Sequence, residues 1–186
     1  MRMLVLLTIA PVVLTTALAQ EAGVAVSPNA AGEAVRSYYN EAEGRTTASV
    51  FISLPISMLG EHSRLDVNAH FSYEGRQLSA APKDVQVVFS VPCTFGSELD
   101  SDPIICVDGE CSSYRPRGEG YCSGGLGRER TSRMVDLPAE TFLRMASGSQ
   151  VKVRLRSSEV ELTGGQVKML LSLAAQLRVE GVSDRP

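Results

Sequence analysis

The residues with the clearest chemical potential are Cys93, Cys106, Cys111 and Cys122, all in the middle third of the chain. Thiols can join in disulfides, ligate a metal or act in redox exchange. Structural zinc favours paired short spacings such as C-x2-C. Here one C-x4-C is flanked by gaps of twelve and ten residues, and no C-x-x-C exists for redox catalysis. An even count in an exported chain points instead to disulfides. Local geometry selects the pairing. Ile104–Cys111 reads as two short strands around Asp108-Gly109, a dipeptide that favours a two-residue type I′ hairpin. In that register Val107 faces Glu110, and Cys106 faces Cys111 at the next pair, close enough for a bridge. The expected bridges are therefore Cys106–Cys111 and Cys93–Cys122. Chain entropy assigns ~3–4 kcal/mol to the larger loop and ~2 kcal/mol to the smaller.

The other chemically capable residues converge less. His62 lies in a turn region, and His70 falls on the polar phase of an alternating run, where exposure to solvent is expected. Neither has ligand spacing, and no G-x-S-x-G elbow supports a nucleophilic serine. Glu98, Asp100 and Asp102 lack the EF-hand pattern and are expected to form a solvated acidic loop. Gly118, Gly120, Gly124, Gly125 and Gly127 lack the flanking strand and helix of a phosphate cradle. Arg115, Arg117, Arg128, Arg130 and Arg133 bracket that glycine-rich stretch, joined by Lys152, Arg154 and Arg156 further on. They form a candidate patch for an anionic partner such as a lipid head group or acidic glycan. Glu119, Glu129, Glu159 and Glu161 dilute it. No motif for a metal or organic cofactor is present.

These residues need a scaffold in a suitable compartment. Residues 1–19, MRMLVLLTIAPVVLTTALA, have a positive start, an apolar run and a small-residue exit at Ala17-Leu18-Ala19. That three-part pattern is a secretory signal peptide. The run is shorter than the ~20 residues of a membrane span, and Pro11 interrupts it. No later stretch has spanning character. The 186 residues carry a net charge of −3, with 44% apolar and 21% charged residues. This composition suits one globular domain and offers no basic excess for nucleic acid. Aromatics make up 5% and tryptophan is absent, so stacking platforms for sugars or bases are not expected.

Residues 20–45 are expected as a flexible lead-in, 46–180 as one β-rich domain with an insertion over 93–133, and 181–186 as a tail. Strands are expected over Ser49–Leu54, ended by Pro55, over Arg64–Glu74, and over Val85–Val91. A short helix follows over Ala139–Ala146. A hairpin then turns at Ser157-Ser158 and pairs Arg156 with Glu159 and Arg154 with Glu161. Thr163 and Gln166 form a capping box for a last helix with an apolar stripe of Val167, Leu170, Leu171, Ala174 and Leu177. The fold class is mainly β (α+β): an antiparallel, sandwich-like sheet, a disulfide-stapled insertion, and a C-terminal hairpin and helix packed on the sheet.

The expectation for function is an exported, secreted or periplasmic, non-enzymatic binding or structural module. Its partner would be a protein or envelope component, met through the stapled insertion 93–133. The competing expectation is a secreted hydrolase with a dispersed site.

Overall fold

A computed structural model describes residues 35–58, 61–118, 122 and 129–177. The signal segment 1–19, residues 20–34, Arg128, most of the glycine cluster and the tail 181–186 lie outside the described residues. The chain is mainly β. One antiparallel sheet has the order β1 (Arg36–Asn40), β2 (Arg45–Met58), β3 (Glu61–Glu74), β4 (Asp84–Pro92) and β7 (Arg130–Pro138). The other has the order β6 (Glu110–Ser113), β5 (Ile104–Val107), β8 (Val151–Arg154) and β9 (Glu159–Glu161). Helix α1 (Ala139–Ser147) follows β7, and α2 (Gly164–Gln176) follows β9.

Alternation explains the large sheet. Val50, Ile52 and Leu54 of β2, Leu65, Val67, Ala69 and Phe71 of β3, and Val85, Val87, Phe89 and Val91 of β4 are all buried. They join Phe142 and Met145 of α1, Leu170, Leu173 and Ala174 of α2, and Ile105, Val151 and Val153 of the smaller sheet in one apolar cluster. The opposite phase of each strand forms a second, polar face of the large sheet.

Several elements differ from the sequence expectation. Strand β1 falls within the stretch expected as a lead-in; Tyr38 and Tyr39 pair with Thr47 and Thr46. Strand β2 continues through Pro55, which sits opposite Arg64. Strand β1 covers β2 only as far as Ser49. Beyond that point β2 is an edge on its other side, where proline's missing N–H removes no ladder bond. In its described residues the insertion 93–133 also carries more regular structure than its composition suggests. It holds kinked 3-10 turns over Cys93–Leu99, the β5–β6 hairpin, and the first residues of β7.

The hairpin of the smaller sheet turns one residue early. Leu155 N–H donates to Ser158 O at 2.8 Å, and Arg154 faces Glu159 rather than Glu161. A two-residue register shift keeps every side chain on its face. The charged face therefore survives with new partners: Arg154 Nη2 lies 2.7 Å from Glu159, and Lys152 Nζ 3.7 Å from Glu161. Arg154 above all, with Lys152, holds the Glu159 carboxyl below its ordinary value. Ser157-Ser158 would have had to adopt positive φ for a type I′ turn, and among the described non-glycine residues only Asp108 does.

The Asp108-Gly109 hairpin forms as expected, with φ of +50° and +89° at the two central residues. Cys106 faces Cys111, their Cα atoms are 4.0 Å apart, and the two are joined by a disulfide. Cys93 and Cys122 form the other bridge. The Asp108 carboxylate ties this turn to the entry of β8, accepting from the Ser149 hydroxyl at 2.6 Å and from the Ser149 and Gln150 amides at 2.9 and 2.8 Å. The Ser149 hydroxyl first, then the amides, hold this carboxyl below its ordinary 3.8. A carboxyl depressed on folding stabilises the fold above its unfolded value, and that contribution fades as pH falls through the folded value. Thermal melts of Asp108→Asn should therefore lose less stability than wild type as pH falls below 3.8. Equal acid sensitivity of the two proteins would count against this tether.

Candidate binding face

The polar face of the large sheet gathers side chains from five strands in parallel rows. The register places Arg36, Ser49, His70, Gln86 and Asp136 in one row from β1 to β7. Tyr38, Thr47 and Ser72 form the neighbouring row. On the other side run Phe51, Asn68, Val88 and Met134, then Ser53, Asp66, Ser90 and Ser132.

Hydrogen bonds cross the strands and fix these rows. Thr47 and Ser72 share a hydroxyl bond at 2.7 Å, and Ser90 and Ser132 one at 2.6 Å. Ser53 donates to Asp66 at 2.7 Å, and Asp66 pairs with Arg130 at 2.9 Å. Gln86 donates to Asp136 at 3.3 Å. Arg117 docks on the edge of β7 through its N–H to Met134 O and reaches Asp136 with Nε at 2.7 Å.

Two depressions lie on this face. The larger, about 1120 Å³, is lined by side chains of β1–β4 and β7, with Glu43, Pro82, Lys83 and Arg117 along its margin. The smaller, about 630 Å³, has Phe51, Ser53, Arg64, Asp66, Pro92, Glu129 and Arg130 around it. Tyr38 (44% exposed) and Phe51 (56%) stand on the same face, and of the described residues only Leu171 joins them as a large apolar side chain so open to solvent. Composition gave no reason to expect a ring platform. A signal was nevertheless available: Phe51 sits on the opposite phase of its strand from Val50, Ile52 and Leu54.

The arginines proposed as one patch have separate surroundings. Arg117 and Arg130 serve opposite ends of the polar face, each on a carboxylate. Arg133 lies on the other phase of β7 and pairs with Asp100 at 3.2 Å. Arg115 is exposed, and Arg128 lies outside the described residues.

Glu98 does not belong to a solvated acidic loop. It is 2% exposed and accepts from the Ser157 amide at 2.8 Å and the Ser157 hydroxyl at 2.5 Å. Its backbone carbonyl accepts from Arg156 N–H. Glu98 thus fastens the 3-10 turns to the β8–β9 bend, so its role is structural.

Among the described residues no nucleophilic triad is assembled around either histidine. His70 is half-buried rather than solvent-exposed, because neighbouring strands flank it. It lies opposite Ser49, and among the described residues its Nδ1 has no hydrogen-bond partner. His62 pairs with Ser57 near the far end of β2. Among the described residues no cluster of three or more His, Cys, Asp or Glu side chains could hold a metal ion. None of the described helices is long and apolar enough to cross a membrane. Set against protein-family models, curated proteins and solved structures, the chain matches none.

Proposed function

We propose that this protein is a non-enzymatic binding module that works outside the cytoplasm and engages an envelope or extracellular partner with the polar face of its large sheet. One observation carries the reading: two exposed rings and a groove of about 1120 Å³ share a face whose rows are pinned by cross-strand hydrogen bonds. Exposed aromatic side chains on a rigid base supply contact area at low conformational cost. The signal-like start of the chain and two disulfides support a secreted or periplasmic setting. The insertion 93–133 contributes through Arg117, which lines the groove.

The test is retention of purified protein on cell-envelope material. The double variant Tyr38→Ala/Phe51→Ser should lose retention about tenfold or more, while Leu171→Ser on the helical side keeps it. Retention unchanged in the double variant and lost in Leu171→Ser would overturn this reading.

A further inference from the structure

Resting on that reading of the polar face, we infer that its ligand is a neutral, polyhydroxylated chain, an uncharged oligosaccharide lying across the strands with one ring stacked on Tyr38. The groove carries both signs of charge. Arg36, Arg45 and Lys83 face it together with Glu43 and Asp84. Among the described residues these five form no ion pair with one another within 4.0 Å. An anionic ligand would meet the two carboxylates, and a cationic one the three bases. A ligand rich in hydroxyl groups uses both, donating to carboxylates and accepting from guanidinium and ammonium groups.

The floor fits the same chemistry. Thr47, Ser49 and Ser72 offer hydroxyls, and Gln86 offers a planar amide held by Asp136. Tyr38 presents an exposed ring beside them, and a ring of this kind combines an apolar face for sugar C–H groups with a polar tip. The row from Arg36 to Asp136 crosses four inter-strand spacings, roughly 19 Å at ~4.8 Å each. That length suits an oligomer better than a single sugar.

Calorimetric titration with neutral cellohexaose and N-acetylchitohexaose, and with acidic hexagalacturonate, tests the inference at low and high salt. At least one neutral chain should bind with an affinity that salt leaves unchanged, because exposed charge pairs are screened and neutral contacts are not. Tyr38→Ala should weaken that binding about tenfold, and Tyr38→Phe should restore most of it. Tyr38 is exposed on an edge strand, so an unchanged melting temperature accompanies the expected loss. Failure of both neutral chains at millimolar concentration overturns the ligand class. If hexagalacturonate alone then binds, salt-sensitively and with loss in Tyr38→Ala, the polar face stands and only its ligand class fails. If binding ignores Tyr38→Ala and disappears in Leu171→Ser, the face fails as well.

Discussion

Leu170→Asp should abolish the folded state. Leu170 sits at the centre of the buried side of α2, with Leu173, Ala174 and Leu177 around it. At 100° per residue these four fall within a narrow stripe, which places α2 against α1 and β2. A carboxylate here would lose its hydration without a partner, and that penalty together with the lost leucine packing is comparable to the ~5–15 kcal/mol that hold a domain together. Circular dichroism of the purified variant is the check: the near-ultraviolet signal and the cooperative melt should both vanish. A soluble variant that melts cooperatively near the wild-type temperature would refute this packing. Leu171→Asp provides the contrast. Leu171 lies one step round the helix and is half exposed, so its charged variant should melt within a few degrees of wild type.

Glu98→Ala is expected to cost about 2–4 kcal/mol, because it leaves the Ser157 amide without its acceptor inside the protein and opens a void where a buried side chain stood. Glu98→Gln preserves shape and one acceptor, so it should lose less than half as much. Urea unfolding of the three proteins measures both. If Glu98→Ala matched wild type within about 0.5 kcal/mol, as ordinary surface substitutions do, the tether between the 3-10 turns and the β8–β9 bend would be disproved. The effect should be structural only: folded Glu98→Ala protein should keep wild-type retention on envelope material, since Glu98 does not line the polar face.

What the sequence made legible follows the range of the interactions involved. Strict alternation from Leu65 to Tyr73 identified β3, because period two is a property of the strand alone. The capping box at Thr163 and Gln166 was equally local and forms as expected, with Gln166 N–H donating to Thr163 and Thr163 N–H to the Gln166 side chain. The Asp108-Gly109 turn fixed one cysteine pair, which left the other. Glu98 was illegible for the opposite reason: its partner Ser157 is 59 residues away. Strand β7 was hidden because Arg133 interrupts its apolar phase, a position made tolerable by Asp100 at 3.2 Å from a different segment. Leu171 was misplaced because a helical stripe read from sequence has no sharp edge, and only the packing of α1 on one side of α2 decides which flank stays dry. The polar face escaped for a similar reason. Its rows join residues from strands far apart in the chain, and no spacing in the sequence places Arg36 beside Ser49 or in one row with Asp136.

The most direct measurement is hydrogen–deuterium exchange of the protein alone and bound to envelope material. Binding through the polar face predicts slower exchange over Tyr38–Asn40 and Thr47–Phe51, with the Ile104–Ser113 hairpin and α2 unchanged. Protection confined to that hairpin or to α2, with Tyr38–Asn40 and Thr47–Phe51 exchanging as in the free protein, would contradict it.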